Sequence, residues 1–169
     1  MFGPLAMIRH VTAWMRDAGG GCIINLSSMM GLLSLPLVGI YASSKYAVEG
    51  FSDALRMELK SFNIDVALIE PGFINTNFTV TAIEGSDPRW QQDSSNPYQP
   101  LLASSEKKSA DNSAIEGQAI DVALTIVKAM ESRAPKARYK VTALGKLLPR
   151  LARWLPDKWF DSLLMKMIT

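Results

Sequence analysis

The sequence predicts an α/β fold built on a parallel sheet, and three observations carry that prediction. Helical and strand patterns alternate along the 169 residues in the order helix, strand, helix, strand, helix, strand. The two clearest strand segments, 22–26 and 64–69, are short, nearly continuous apolar runs, the pattern of strands covered on both faces. With 48% apolar and 20% charged residues, the composition is that of a globular chain long enough for one domain with its own core.

Each element has a local reason. Over residues 1–17, Leu5, Ile8, Val11 and Met15 recur at helical spacing, and Gly19, Gly20 and Gly21 stop that helix. Residues 22–26 are rich in β-branched side chains and bounded by Gly and Ser, which marks a strand. Residues 27–40 form a loop punctuated by Gly31, Pro36 and Gly39. A long helix follows over 41–62, with Val48, Phe51, Leu55, Leu59 and Phe62 along one stripe. The strand at 64–69 is stopped by Glu70-Pro71-Gly72. Residues 73–115 are polar and rich in Ser, Asn, Asp and Pro, a connection long enough to act as a lid or to lack order. Beyond it, 114–131 reads as a helix and 138–142 as a last strand. Residues 144–153 and 156–168 read as two amphipathic helices parted near Leu155-Pro156. A sheet this small leaves one edge open.

Charge is unevenly spread. Residues 1–132 hold 9 Lys/Arg against 14 Asp/Glu, whereas residues 133–169 hold 9 against 2. The basic stretch includes Trp154 and Trp159, so the tail over 143–169 suits an anionic membrane surface, closure over a substrate pocket, or packing on the sheet. No nucleic-acid module is recognisable. The single cysteine, Cys22, excludes an internal disulfide and sits in an apolar run that predicts a buried, inert thiol. One His and one Cys make a zinc site a poor fit, and the lone His10 falls on the first helix, away from the strand ends. No run approaches the length of a membrane span and no leader pattern opens the chain. A cytoplasmic location follows, with membrane association through the tail as the variant.

Four features converge where sites in open α/β sheets lie, at the carboxyl ends of strands. Ser28 ends the first strand, Tyr41 follows thirteen positions later, and Lys45 is four beyond Tyr41. Pro71-Gly72-Phe73-Ile74-Asn75-Thr76 closes the second strand. The Tyr41/Lys45 spacing puts a phenol and an ammonium on one helix face, one turn apart. A free phenol titrates near 10, and a neighbouring ammonium favours the phenolate, the direction that acid–base work near neutrality requires. A hydroxyl such as that of Ser28 can hold a substrate oxygen while a proton and a hydride move.

These residues resemble the short-chain dehydrogenase/reductase family: Asn25-Leu26-Ser27-Ser28, then Tyr41-Ala42-Ser43-Ser44-Lys45, then Glu70-Pro71-Gly72-Phe73-Ile74-Asn75-Thr76. The resemblance is close over 1–76 and looser to the strand near Tyr139. It implies an NAD(P)-dependent oxidoreductase that moves a hydride between nicotinamide and a carbonyl or secondary alcohol. Tyr41 would be the general acid/base and also contact the cofactor, Lys45 would tune it and bind the nicotinamide ribose, and Ser28 would orient the substrate. Pro71, Gly72, Ile74 and Thr76 would line the nicotinamide. The loop 73–115 and the tail would shape a pocket for a hydrophobic substrate. The first helix and the Tyr-bearing helix would pack against their copies in a homo-oligomer, through a stripe of Ala47, Phe51, Ala54 and Leu55.

The family's glycine-rich pyrophosphate motif finds no match, since Gly19-Gly20-Gly21 follows a helix and not a strand. Residues 1–169 are therefore expected to be the C-terminal catalytic portion of a doubly wound, Rossmann-type parallel sheet, incomplete and lacking the N-terminal strands and helices. NAD versus NADP stays open. The alternative is a truncated, non-catalytic remnant acting as an oligomerising or membrane-surface module.

Overall fold

The computed structural model describes residues 2–78, 81, 95–104 and 117–168. The order of elements is α1 (Phe2–Asp17), β1 (Gly21–Leu26), a 3-10 turn (Met29–Gly31), α2 (Gly39–Glu58), a second 3-10 turn (Lys60–Phe62), β2 (Ile64–Glu70), β3 (Ile74–Asn75), β4 (Gly117–Gln118), α3 (Ala119–Met130), β5 (Arg138–Lys140), α4 (Ala143–Trp154) and α5 (Asp157–Ile168).

Helix α1 ends where the glycines predict. Gly19 takes φ +82°, a left-handed backbone that costs a residue with a Cβ but not glycine, and its N–H and that of Gly20 return to the carbonyls of Arg16 and Met15. The chain then enters β1, which runs parallel to β2 with Gly21 opposite Ile64 and Leu26 opposite Ile69. β2 in turn pairs parallel with β5, Leu68 opposite Arg138, so the sheet order is β1-β2-β5. Val66, Ala67, Leu68 and Ile69 are all buried, which means that both faces of the central strand are covered. On one face Ile8 of α1 and Phe51, Leu55 and Leu59 of the α2 region pack on Ile23, Ile64 and Val66. α3 packs on β1 and β2 and buries Ala129.

A second core lies beyond the strand ends. Met29, Met30 and Leu33 meet Ala42 of α2 and Leu148, Phe160 and Leu164 of the two terminal helices, with Tyr41 and Phe73 packed against them. Thr142 caps α4 by accepting from the Gly145 N–H at 3.0 Å, and the helix runs on through Pro149. α3 opens on a capping box in which Asp121 takes the Gln118 N–H.

The expectation of an incomplete sheet lacking its N-terminal strands and helices is corrected. The first seventy residues close a full α1–β1–α2–β2 unit whose strands pair directly, extended by β5 to three parallel strands. The physical reason is that two apolar strands joined by an amphipathic helix decide this unit, whereas a phosphate-binding glycine loop is not needed to close it. Smaller differences also appear. α2 stops at Glu58, because the chain tightens into a 3-10 turn and Asn63 turns left-handed at φ 55°. The two-residue pair β3–β4 is too short to leave a periodic signal. Cys22 is half-buried, and burial followed by the charge of Asp65 pushes its thiol up. Most of the expected loop 73–115 lies outside the described residues.

Candidate active site

The site is assembled by backbone that leaves the carboxyl ends of β1 and β2. Ser27 still belongs to the sheet, its N–H donating to Ile69 O at 2.8 Å. Ser28 is extended and buried, and it caps the following 3-10 turn: its Oγ accepts from the Met30 N–H at 3.2 Å. The same hydroxyl reaches the Pro71 carbonyl only at 3.5 Å, the far limit of a hydrogen bond, while the Met29 N–H holds that carbonyl at 2.8 Å. The Ser28 proton is thus loosely engaged and free to turn to a better acceptor.

Tyr41 stands in the first turn of α2 and Lys45 one turn later. Lys45 Nζ donates to the Leu26 carbonyl at 2.9 Å and lies 5.7 Å from the centre of the Tyr41 ring, within cation–π reach. Burial pulls the Lys45 ammonium below its usual value, opposed by the charge of Glu49. One of three ammonium protons is used on Leu26, which leaves donors for ligand hydroxyls. The third segment arrives from β2. Gly72 sits so close to Thr142 and Gly145 that a Cβ there would run into the Thr142 hydroxyl. Ile74 is half-buried and pairs with Gly117, and the exposed Thr76 accepts from the Phe78 N–H at 3.3 Å. The chain then returns over α2, with the Phe78 ring 5.3 Å from that of Tyr41.

So Lys45 touches both the Leu26 carbonyl and the Tyr41 ring, Ser28 touches the Pro71 carbonyl, and the two pairs meet through the short run from Leu26 to Ser28. Gly72 lies against the start of α4 instead, while Ile74 and Thr76 lie along the strand and turn that follow. A cleft of about 440 Å³ opens beside this core, lined by Ser34, Leu35, Pro36, Asp161, Leu164 and Met165. A larger one of about 550 Å³ lies between α3 and Tyr139, and neither cleft is lined by Ser28, Tyr41, Lys45 or Pro71. His10 is exposed on α1.

Two features escaped the sequence reading. Phe78 fell inside a polar loop where one aromatic ring carries no pattern. Behind the site, Glu70 is completely buried and ion-paired to Arg138 at 3.0 Å and Lys140 at 3.9 Å. Arg138 also binds Asp53 at 2.7 Å and Glu49 at 3.1 Å. Burial, then the charge of Glu49, raises the Glu70 carboxyl to about 7, although Lys140 and Arg138 pull it down. A carboxylate ending an otherwise apolar strand was the available signal.

A family model described as short chain dehydrogenase matches residues 1–87. A probable short-chain type dehydrogenase/reductase of Helicobacter pylori, VdlC, is 40% identical over 141 residues, 83% of this chain and 50% of the relative. A 3-ketodihydrosphingosine reductase of Bacteroides thetaiotaomicron is 34% identical over 161 residues, 92% of this chain and 57% of the relative. The fold is shared with a Burkholderia cenocepacia short chain dehydrogenase crystallised with NADP, with a TM-score of 0.65 at 19% identity, covering 99% of this chain and 55% of that one. The chain spans about half the length of the curated relatives it matches. The family match covers the α1–β1–α2–β2 unit, so the reading of this chain as without an N-terminal unit is corrected together with the fold. The chain belongs to the short-chain dehydrogenase/reductase family.

Proposed function

We propose that this site transfers a hydride between NAD or NADP and a carbonyl or secondary alcohol. The observation that carries the reading is the Lys45 ammonium, fixed to the Leu26 carbonyl at 2.9 Å and beside the Tyr41 ring, with the loosely engaged Ser28 hydroxyl two residues beyond Leu26. In the reductive direction the Tyr41 hydroxyl gives its proton to the substrate oxygen, and in the oxidative direction it receives one. Ser28 leaves its long contact with Pro71 and donates to the same oxygen, which orients the carbonyl. Lys45 offers its remaining protons to the ribose hydroxyls and keeps positive charge next to the phenol. Pro71, with Gly72, Ile74 and Thr76 in the segment that follows it, would border the nicotinamide. When bound, the nicotinamide supplies or accepts the hydride.

The fit rests on donors. A half-buried ammonium with unused protons suits ribose hydroxyls. The substrate reading is a hydrophobic ketone or alcohol, because the cleft against the Met29, Met30 and Leu33 core is walled by Leu35, Pro36, Leu164 and Met165 beside Ser34 and Asp161. The relative named 3-ketodihydrosphingosine reductase provides a first ketone to test. Exposed Met7 and Trp14 on α1 and Met57 on α2 support a homo-oligomer through this helix pair, although Phe51 and Leu55 of the expected stripe pack on the chain's own sheet.

The test is binding of NADH and NADPH by the full chain, followed by turnover of Tyr41→Phe. The expected result is micromolar binding of one cofactor, and turnover by Tyr41→Phe lowered by about 100-fold or more. Turnover by Tyr41→Phe within a few-fold of the wild type would remove Tyr41 from the chemistry. Absence of binding to both cofactors would leave the non-catalytic module as the reading of this chain.

A further inference from the structure

The outer face of the terminal helix pair has a chemistry that the oxidoreductase reading does not use. The contacts of α4 settle which way it faces. Leu148 is buried, and Leu144, Leu151 and Leu155 pack on the core around Met29, Met30 and Leu33. The residues left in water include Lys146, Arg150, Arg153 and Trp154, which recur at helical spacing on the opposite side, together with Leu147. No acidic residue occurs anywhere in α4. α5 likewise buries Phe160 and Leu164 and exposes Lys158 and Trp159, but it also exposes Asp157 and Asp161, so the basic charge of this face comes mainly from α4. None of Lys146, Arg150, Arg153 and Lys158 is in an ion pair with a described residue.

The two tryptophans decide the partner. Trp154 is 84% exposed and Trp159 is 71% exposed, one on each side of Leu155-Pro156. An indole left in water is costly, and one next to a cation is at home at a lipid–water interface, where its ring meets the acyl boundary and its N–H meets the headgroups. The cations match an anionic headgroup layer, to which each Lys or Arg adds about fivefold in affinity. We propose that the outer face of α4 and α5 docks on the surface of an anionic phospholipid bilayer, with Trp154 and Trp159 inserted at the interface and Lys146, Arg150, Arg153 and Lys158 on the headgroups. This is surface contact only: no helix among the described residues is long and apolar enough to cross a membrane.

The experiment is sedimentation of the full chain with vesicles of mixed phosphatidylserine and phosphatidylcholine, and with phosphatidylcholine alone, at low and physiological salt. The expected result is binding to the anionic vesicles that weakens with salt and is absent with phosphatidylcholine. The triple variant K146Q/R150Q/R153Q should bind about 100-fold more weakly, and W154A/W159A should lose the salt-resistant part of binding. All five side chains are exposed, so circular dichroism should show the fold retained in both variants. No sedimentation with anionic vesicles, equal binding to both vesicle types, or a triple variant that binds as well as the wild type would each overturn the proposal. Self-association that W154A/W159A abolishes, without vesicle binding, would overturn it in favour of a second copy on this face. The measurement needs neither cofactor nor turnover, so it succeeds or fails independently of the oxidoreductase reading.

Discussion

Replacing Glu70 by glutamine should make the protein more stable at alkaline pH and remove part of its pH dependence. Glu70 has no exposed surface, and Arg138 and Lys140 stand 3.0 and 3.9 Å from its two oxygens. Yet Arg138 is shared with Glu49 and Asp53, so its charge is divided among three carboxylates. Desolvation and Glu49 therefore prevail, and the folded-state pKa rises from 4.5 to about 7. A carboxyl with a raised folded pKa binds its proton more tightly in the native state. Its favourable contribution is complete below about 4.5, where both states are protonated, and is lost as pH climbs through about 7. At 1.36 kcal/mol per unit, the shift corresponds to about 3 kcal/mol between pH 4.5 and pH 8. Glutamine mimics the protonated carboxyl at every pH. Urea unfolding of both proteins from pH 5 to pH 8 should show stabilities that match at the acid end and diverge by up to about 3 kcal/mol in favour of Glu70→Gln at the alkaline end. Curves that run parallel, or a variant that becomes relatively less stable as pH rises, would show that the Arg138 ion pair outweighs desolvation and would refute the reasoning.

Two further predictions concern the backbone around the site. Leu37 holds φ 67° with its side chain partly exposed, just before the helix that carries Tyr41, so Leu37→Gly should raise the stability by about 0.5–1 kcal/mol in a urea titration despite the extra freedom of the unfolded chain. Gly72→Ala drives a methyl into Thr142 and the Gly145 backbone, and should cost about 1–3 kcal/mol and lower the melting temperature, with Gly39→Ala, where nothing lies within 4 Å of the added carbon, as the benign control.

Residue types and spacing alone determined a good deal here. The apolar runs of β1 and β2, the 3.6-residue stripe of α2 and the glycines after α1 are local signals, so each element lies close to where its pattern places it. The Tyr41/Lys45 pair was legible because i, i+4 on a helix means adjacency whatever surrounds it. Tertiary structure decided what depends on contacts between distant residues. It paired β1 with β2 into a closed unit, where the missing glycine loop had suggested an incomplete sheet. It brought Arg138 to Glu49, Asp53 and Glu70, which lie 68 or more positions away in the chain and share no motif with it. It laid Phe78 on Tyr41 and turned Trp154 and Trp159 outward. Periodicity reports which face of an element is apolar. Only packing reports what that face meets, and which charges end up buried together.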